Sequence, residues 1–447
     1  MRLINAIPVG PESRLVFVGA GGKSTSMFRL ARQVLADGFA RVIVTASTHL
    51  AISQINWADH HFVVSEVEDF KGIDLANYSG LILITGPTRH DYRTEGLPFS
   101  TLAALDQLAS QLESALLVEG DGSRRLPLKA PAAHEPAIPP WAHGVVVCAG
   151  LSGLGEPLAE GYVHRPEIFS ALSGIKVGEQ VTVDGLAAVL GAAKGGLKNI
   201  PPDAIRYALV TQVDSPELAG QAKQLGDLIL PNYNAVIATD LKSECDEVKA
   251  IYRQVAGVVL AAGGSERLRR PKQLLDWQGQ PFVRVCAETA LAAGLAPVIV
   301  VTGAYQSEVV KALHGLAVKI VHNPDWGEGQ GTSVRTAARY LSGLERVSAA
   351  VFSLVDQPQI PVRLIETLLE AYSAQNYPLV VPLIDQRRGN PVLFDRVVFP
   401  DLLKLSGDSG GRQVYSKFTK LMVPWYDRRD GLDVDTEEDY RNLTDSF

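Results

Sequence analysis

Two glycine-rich segments of the chain carry the residue types that bind phosphate. The first, Leu15–Thr25, reads LVFVGAGGKST, a hydrophobic run followed by glycines, a lysine and a serine. Glycines let backbone N–H groups approach a phosphate, lysine can reach the outer phosphates, and serine can ligate Mg2+. The segment is two residues shorter than the usual phosphate loop, so a glycine-rich turn with an exposed lysine is the alternative. The predicted nucleotide-binding residues are Gly19, Gly21, Gly22, Lys23, Ser24 and Thr25.

Acidic residues end a second hydrophobic run of the N-terminal half. The segment ALLVEGDGSRRLPLKAP places Glu119 and Asp121 after a strand, where an acid can hold the Mg2+ of a nucleotide. We expect both to complete the N-terminal site, with ATP or GTP as the candidate nucleotide. The cations that follow could hold a phosphate or another polyanion, or could belong to a solvated loop. They are Arg124, Arg125 and Lys129.

The second glycine-rich segment opens the C-terminal half. Gly257–Leu275 reads GVVLAAGGSERLRRPKQLL, in which a buried run leads to small residues and then to Arg267 and Lys272. Small residues after a strand let the backbone lie against a base or a phosphate, and the cations neutralise the phosphates. The segment therefore predicts a nucleotide site. An ordinary turn followed by a solvated basic patch is the alternative.

Two acidic segments of the same half could supply a metal site. VFSLVDQPQI ends a strand at Asp356, and an aspartate there faces the ligand crevice of an open α/β sheet, where it can hold Mg2+ against a triphosphate. The segment Asp433–Thr436 places two carboxylates, Asp433 and Asp435, on one face of an extended chain, and one of them could complete the metal site. A helix N-cap at Asp356 and a capping turn before TEEDYRNL are the alternatives.

The elements that must position these residues follow an α/β pattern, because short β-branched runs alternate with helix-length amphipathic stretches. We expect two α/β domains, a P-loop-like domain at 1–250 and a second at 255–447. The charged stretch Asp240–Arg253 between them is predicted to be a short helical connector, since it lacks linker composition. The predicted strands are Leu15–Val18, Arg41–Thr45, Leu81–Thr85, Ala115–Val118, Val145–Cys148, Tyr207–Thr211, Val236–Thr239, Val258–Leu260, Val298–Val301, Lys319–His322, Ala350–Val355 and Leu379–Pro382.

Bulk composition narrows the class of protein. At 447 residues with 46% hydrophobic and 20% charged residues, the chain can form two globular cores. Its net charge of −7 argues against a nucleic-acid partner. The cysteines Cys148, Cys245 and Cys286 are too widely spaced for a zinc site and predict reduced thiols. With neither a signal sequence nor a membrane span in the sequence, we expect a cytoplasmic protein without a membrane partner.

Six ordered motifs of the C-terminal half resemble the molybdenum cofactor cytidylyltransferases (MocA-like). They are LAAGGSERLRRPKQLL, NPDWGEGQGTSVRTA, SLVDQPQI, RGNPVLF, LSGDSGGR and LDVDTEEDY. The resemblance covers essentially all of residues 255–447 and implies a Rossmann-like nucleotidyltransferase fold of the GT-A-like kind. It also implies Mg2+-dependent transfer of CMP from CTP to molybdopterin or the molybdenum cofactor, with pyrophosphate as the second product. A molybdenum hydroxylase apo-enzyme would receive the dinucleotide cofactor.

The resemblance implies a role for each matched residue. The catalytic residues would be Lys272, Arg267 and Asp356, with Asp356 and Asp435 as metal ligands. Those at the nucleotide would be Leu260, Ala261, Ala262, Gly263, Gly264, Asn323, Gly331, Ser333 and Arg335. Those at the acceptor would be Gly389, Asn390 and Pro391. Arg269 replaces the usual glycine and Asn390 the usual histidine, which could alter the phosphate loop and the choice of acceptor.

The N-terminal half resembles a family of accessory proteins for selenium-dependent molybdenum hydroxylases (YqeC-like). The motifs are VGAGGKST, VTASTHL, VEGDGSRRLPLKAPAAHEPAIP and GYVHRPE, and the resemblance covers most of residues 10–240. Both halves thus indicate one cofactor pathway. Two alternatives stay open: nucleotide transfer to a sugar phosphate or another small phosphorylated acceptor, and a non-catalytic chaperone that carries the cofactor to a hydroxylase.

Overall fold

The structure, a computed structural model, describes residues 1–243, 247–265, 267–268, 270–408 and 410–446. The chain divides into two compact units, Met1–Tyr252 and Arg253–Phe447. Each unit combines strands with helices, which confirms the predicted α/β class. Cys245 and Arg269, for which the sequence raised expectations, lie outside the described residues.

The first unit is built on a parallel sheet. Its strands are β1 (Arg14–Gly19), β2 (Arg41–Ala46), β3 (His60–Val63), β4 (Gly80–Thr85), β5 (Ala115–Glu119), β6 (Leu128–Lys129), β7 (Gly144–Gly150), β8 (Val163–His164), β9 (Ile205–Thr211) and β10 (Ala235–Thr239). The strand order is β3-β4-β2-β5-β1-β7-β9-β10, while β6 pairs with β8 separately. Every strand predicted in this half lies within one of these. The carboxyl ends of β1, β2 and β5 therefore meet at one edge.

Helices cover both faces of this sheet. They are α1 (Lys23–Ala36), α2 (Phe99–Gln111), α3 (Pro166–Ser173), α4 (Val183–Gly191) and α5 (Pro216–Ile229). Along β1 the side chains alternate between two cores: Val16 joins one, while Leu15 and Phe17 join the other. A continuous hydrophobic run is what a strand buried on both faces requires. Local sequence also sets helix ends, since the Ser215 hydroxyl caps α5 by accepting from Leu218 N.

The second unit contains a mixed sheet. Its strands are β11 (Val248–Ala261), which begins in the first unit, β12 (Asp276–Trp277), β13 (Gln280–Pro281), β14 (Val298–Thr302), β15 (Val318–His322), β16 (Val347–Leu354), β17 (Leu379–Ile384), β18 (Arg387–Arg388), β19 (Val392–Asp395) and β20 (Lys420–Trp425). The order in the sheet is β15-β14-β11-β16-β19-β17-β20, and β18 forms a hairpin with β17, while β12 and β13 pair separately. Strands β15, β14, β11 and β16 are parallel, whereas β19 is antiparallel to both neighbours.

Helices of the second unit connect these strands. They are α6 (Phe282–Ala292), α7 (Gln306–Ala312), α8 (Gln330–Ser342), α9 (Val362–Gln375), α10 (Phe399–Leu402) and α11 (Glu437–Ser446). Because β11, β14 and β16 run in parallel, the loops that follow them meet at one edge of the sheet. Across both units, none of the helices in the described ranges has the length and apolar character needed to cross a bilayer.

The predicted helical connector at Asp240–Arg253 is wrong. Strand β11 starts at Val248, within that stretch, and Val248 N donates to Met1 O at 2.9 Å. Buried Val248, Ile251 and Val255 repeat every three or four residues, which imitates a helix. The β-branched and aromatic content of VKAIYRQV nevertheless favours an extended chain. The lack of linker composition could not separate a helix from a strand.

Candidate functional site

In the second unit one lysine joins two carboxylates. Lys272 Nζ donates to Asp356 Oδ2 and to Asp435 Oδ1, at 2.9 Å each, so these oxygens are no further apart than twice that distance. Arg267 Nη1 lies 2.9 Å from the other oxygen of Asp435. The structure therefore brings together the four residues that the sequence assigned to catalysis and metal binding.

The end of β16 positions the acidic segment. Asp356 follows this strand, and its carbonyl oxygen accepts from Val434 N at 3.1 Å, which fixes the extended chain beside it. Gln357, which is buried, donates through Nε2 to Asp433 Oδ1 at 2.8 Å. Burial raises the pKa of Asp433 to about 6, and the carboxylates of Asp356 and Asp435 add to the rise. Asp433 is one of the two carboxylates that the sequence offered for the metal site, whereas Gln357, which lies inside the motif SLVDQPQI, had no predicted role.

The same segment also caps α11. Thr436 N donates to Asp439 Oδ2 at 2.8 Å, and Asp439 N donates to the Thr436 hydroxyl at 3.2 Å. This reciprocal pair is a capping box. The capping turn that the sequence left as an alternative is thus present together with the acidic cluster, and it holds Asp435 in place.

The donor set at Asp356 fits a divalent cation. Asp356 Oδ1 is buried and has no hydrogen-bond partner within the described residues. Leaving such an oxygen unpaired is costly unless a ligand satisfies it. The described ranges contain no group of three or more His, Cys, Asp or Glu side chains arranged to hold a metal. Mg2+ commonly takes only one or two carboxylates and completes its shell with water and substrate phosphates, so Asp356 and Asp435 suffice.

A buried glutamine folds the glycine-rich loop back onto Lys272. Gln273 is fully buried, and its Nε2 donates to Ala261 O at 3.1 Å and to Gly263 O at 2.6 Å. The Ser265 hydroxyl accepts from Lys272 N at 3.0 Å. These bonds fix the backbone on both sides of the loop, so they position the lysine that reaches the carboxylates.

A second site forms around the glycine-rich loop of the first unit. Lys23 Nζ donates to Gly19 O at 2.8 Å and lies 3.5 Å from Asp121 and 3.9 Å from Glu119. Ser24 Oγ donates to Glu119 Oε2 at 2.5 Å. Burial lowers the pKa of Lys23, but these two carboxylates outweigh burial and raise it, so the lysine stays charged. The start of α1 and the end of β5 thus bring a cation, a hydroxyl and two acids together at the sheet edge.

Glycine is required at the turns of this loop. A Cβ on Gly19 would lie 2.3 Å from Cys148 O, and one on Gly21 would lie 2.3 Å from Gly150 N. Gly22, with a φ of 104°, directly precedes α1. The first turn of a helix leaves its N–H groups free for an anion, and Thr25 is exposed there.

Comparison with known proteins relates each half to a family. Residues 257–421 match the family model "MobA-like NTP transferase domain". The nicotine blue oxidoreductase of Paenarthrobacter nicotinovorans is 36% identical over 208 residues, which span 42% of this chain and 96% of that protein. The chain belongs to the MobA-like NTP transferases. A probable molybdenum cofactor guanylyltransferase of Bacillus cereus (strain Q1) is 32% identical over 135 residues, covering 30% of this chain and 64% of that protein.

The N-terminal half of this MobA-like transferase is a YqeC domain. Residues 15–167 match the family model "YqeC protein". The YqeC protein of Escherichia coli (strain K12) is 28% identical over 243 residues, which span 53% of this chain and 91% of that protein. The comparisons confirm the expected relationship of the C-terminal half to nucleotidyltransferases and of the N-terminal half to YqeC.

Several residues predicted to touch the nucleotide are buried within the MobA-like domain. Leu260, Ala261 and Ala262 are at most 9% exposed and pack in hydrophobic cores. Their side chains therefore face the protein interior and support the backbone of the loop. Gly263 is exposed and Gly264 half-buried, so these two form the surface of this stretch.

Asn323, which was also predicted to lie at the nucleotide, is buried, and its side chain forms hydrogen bonds to other groups of the protein. Its Nδ2 donates to the hydroxyls of Thr332 and Ser333 at 2.8 and 3.0 Å. Its Oδ1 accepts from Asp325 N at 3.1 Å. Asn323 and Ser333 therefore brace the turn before α8.

Two further contacts of this turn join it to the chain that follows α10. Gly331 N donates to Gly407 O at 2.8 Å, and Arg335 contacts Leu405 O at 3.4 Å and Asp325 at 3.5 Å. The two motifs NPDWGEGQGTSVRTA and LSGDSGGR thus form one surface. The role of Gly331 and Arg335 at the nucleotide stays a prediction.

The predicted acceptor residues Gly389, Asn390 and Pro391 link β18 to β19. Gly389 N donates to Pro382 O at 3.0 Å, and a Cβ on Gly389 would lie 2.6 Å from Ile384 Cδ1. A glycine therefore lets this connection pack against β17. The role of the three residues at the acceptor stays a prediction.

A chain of mostly buried charges starts at the glycine-rich loop of the YqeC domain. Asp121 accepts from Gly19 N at 3.0 Å and from Lys129 Nζ at 2.7 Å. Lys129 also lies 2.7 Å from Glu135, which binds Arg165 through two hydrogen bonds of 2.6 and 2.9 Å. We term this series the charge chain; its members are Lys23, Asp121, Lys129, Glu135 and Arg165.

The charge chain corrects one expectation. Lys129 was predicted to be part of a basic cluster open to a phosphate, yet its ammonium is buried between two carboxylates. Only Arg124 and Arg125 of that cluster are exposed, both with positive φ angles of 51° and 62°. Sequence proximity indicated three similar cations, but the acids that neutralise Lys129 are placed by the fold.

The charge chain should make the stability of the folded state depend on pH in the acidic range. Burial raises the pKa of Glu135, but Arg165 and Lys129 outweigh burial and hold it at about 2. A carboxyl with a lowered pKa stabilises the folded state above its unfolded pKa, and that contribution is lost as the pH falls from about 4.5 towards 2. We expect Glu135→Gln to flatten the decline of the thermal midpoint below pH 4.5, measured by circular dichroism.

Glu167, exposed on the first turn of α3, offers the matched control for this titration. Glu167→Gln should leave the acid decline as steep as in the unmodified chain. An equally steep decline in Glu135→Gln would contradict the assignment of this titration to Glu135.

Proposed function

We propose that the MobA-like domain transfers CMP from CTP to molybdopterin or the molybdenum cofactor, releasing pyrophosphate. The observation that carries the proposal is Lys272, held between Asp356 and Asp435 at the carboxyl edge of the sheet. Membership in a nucleotidyltransferase family and relatives named as molybdenum cofactor guanylyltransferases support a pterin phosphate as acceptor. The sequence Ala-Ala-Gly at Ala261–Gly263 resembles the cytidylyltransferases rather than the guanylyltransferases, which tend to have Ala-Gly-Gly, and so favours CTP over GTP. A molybdenum hydroxylase apo-enzyme would receive the product.

The reaction requires one anion to attack another. An oxygen of the acceptor phosphate forms a bond to the α-phosphorus of CTP, and the bond from that phosphorus to the bridging oxygen breaks to release pyrophosphate. A phosphate monoester is largely ionised near pH 7, so no general base is needed. The main task of the domain is to align the two anions and to neutralise their charge.

Lys272 and Arg267 can supply this neutralisation. Burial lowers the pKa of Lys272, but Asp356 and Asp435 outweigh burial and raise it, so the ammonium stays charged at neutral pH. Arg267, with 73% of its side chain exposed, can turn towards an incoming phosphate. Mg2+ held by Asp356 and Asp435 would add a Lewis acid at the triphosphate oxygens.

For the YqeC domain we propose a nucleoside triphosphate site that takes ATP or GTP. Lys23 would bind the phosphates together with the N–H groups at the start of α1. Ser24 and Glu119, already joined by a hydrogen bond, would hold Mg2+ as a hydroxyl and an acid do in phosphate-loop proteins. The shape of the loop, with its required glycines, supports this site.

Pyrophosphate release tests the transfer reaction. The full chain is incubated with Mg2+, with molybdopterin or its molybdenum form, and with CTP, GTP, ATP or UTP in separate reactions. We expect release that needs both CTP and the pterin and that stops when a chelator removes the metal. A matched set of reactions replaces the pterin with a sugar phosphate or methylerythritol phosphate.

Each result separates the candidate functions. Release with GTP but not CTP would overturn the choice of nucleotide, and release with a sugar phosphate but not the pterin would overturn the acceptor. Tight binding of the pterin without any release would favour the non-catalytic chaperone.

A further inference from the structure

His49 lies against the acidic strand end of the YqeC domain. It follows β2 within the motif VTASTHL, and Ser47 N donates to Glu119 O at 2.9 Å, which fixes this segment beside β5. The imidazole packs on Gly122, because a Cβ added there would lie 2.9 Å from His49 Cε1. The ring therefore lies beside Gly122, the residue after Asp121, at the edge of the sheet where the glycine-rich loop lies.

Arg93 reaches His49 from a hairpin loop that follows β4. Within the loop, Gly86 N donates to Glu95 O at 3.0 Å, and Thr94 N donates to Leu50 O at 2.9 Å, which fastens the loop to the chain after β2. Arg93 Nη1 lies 3.0 Å from His49 Nε2. The loop thus delivers a guanidinium to the same edge as Lys23.

The contact fixes the protonation of the histidine. A guanidinium can only donate, so His49 Nε2 must accept, and the neutral ring then carries its proton on Nδ1. Burial lowers the pKa of His49, and the cations Arg93, Arg89 and Lys23 lower it further against the opposing effect of Asp91. His49 is therefore a neutral hydrogen-bond donor at physiological pH.

Arg93 is a half-buried cation without an acid to neutralise it. Within the described residues no carboxylate lies in salt-bridge range of its guanidinium, and the side chain that it contacts there is that of His49. Arg89 on the same loop instead lies 3.7 Å from Asp91 and is largely exposed. The remaining N–H groups of Arg93 are free to bind an anion, and arginine matches phosphate geometry well.

We propose that Arg93 and the Nδ1–H of His49 bind the terminal phosphate of a nucleoside triphosphate, so that the YqeC domain distinguishes triphosphates from diphosphates. This inference rests on the proposed nucleotide site at Lys23. The ligand class follows from the chemistry, since the Lys23 loop binds phosphates generally while Arg93 adds positive charge from a separate loop. A diphosphate has no group that would reach this pair.

Calorimetric titration of the full chain with ATP, GTP, ADP and GDP in Mg2+ tests the inference. The unmodified chain should bind a triphosphate at least about tenfold more tightly than its diphosphate, as one or two charge-assisted hydrogen bonds allow. Arg93→Ala should lose that preference and keep its affinity for the diphosphate. Arg89→Ala, a change on the same loop, should retain the preference.

Two further variants keep the test decisive. His49→Ala should reduce the preference in part, whereas Lys23→Ala should weaken binding of both nucleotides. Equal affinities of the unmodified chain for triphosphate and diphosphate would overturn the inference. So would an Arg93→Ala variant that loses affinity for both nucleotides equally while its thermal midpoint is unchanged. Both outcomes leave the proposed nucleotide site standing. Failure of the unmodified chain to bind any nucleotide would overturn both proposals.

Discussion

Replacing Lys272 with methionine should slow pyrophosphate release by a factor of about 10²–10³, the usual effect of removing one electrostatic stabiliser. Methionine keeps the length and apolar stem of the side chain but removes the cation that lies between Asp356 and Asp435. We expect the loss in kcat more than in KM for CTP, because charge moves to pyrophosphate mainly in the transition state. Single-turnover release with CTP and the pterin measures it.

The same variant should bind divalent cations more tightly. Lys272 Nζ donates to the carboxylates that we propose as metal ligands, so its removal leaves both oxygens free for the ion. Titration with Mn2+ followed by electron paramagnetic resonance would measure this affinity. Lys319→Met, at an exposed position on β15, is the control and should change neither quantity. A Lys272→Met variant with full activity would refute the assigned role.

Lys129→Met should lower the free energy of unfolding of the YqeC domain by about 3–5 kcal/mol, the usual cost of breaking a buried ion pair on one side. Its ammonium lies 2.7 Å from both Asp121 and Glu135, and 1% of its side chain is exposed. Without it, two buried carboxylates lose a partner. Hydrogen exchange of peptides that cover β5 in the full chain would report the local loss.

A lysine on the surface of the same domain provides the comparison. Lys223 pairs with Asp227 at 3.1 Å, but both side chains are more than half exposed. Lys223→Met should change stability by only about 0–1 kcal/mol, since water screens such a pair. Similar losses in the two lysine variants would argue against the charge chain as a source of stability.

The sequence predicted the parallel strands well because each is buried on both faces. A run such as LVFV has no polar position, and few local structures other than a central strand accommodate it between Gly and polar turns. Strands β19 and β20 were not predicted. The segment KLMVPW of β20 is only partly buried and contains proline, so its strand pairing with β17 depends on contacts far away in sequence.

Motif order located the MobA-like site, but side-chain partners could not be read from it. The sequence identified both Lys272 and Asp435 as site residues. Their contact joins positions 163 residues apart in the chain, so it depends on the fold. Asn323 and Lys129 show the converse case. Both are polar residues in motifs that suggest ligands, yet protein groups saturate Asn323 and neutralise Lys129. Burial and partner choice decide availability, and neither is a local property.

Opposite signs alternate along the charge chain, from Lys23 through Asp121, Lys129 and Glu135 to Arg165. Loss of any member leaves its neighbours as uncompensated buried charges, whereas replacement of a complementary pair by apolar residues of similar volume lowers stability little. Substitutions at these positions must therefore occur in complementary pairs. Among descendants of a common ancestor, the residues at 129 and 135 should change together, and a lineage that alters one alone will pass through a poorly folded intermediate.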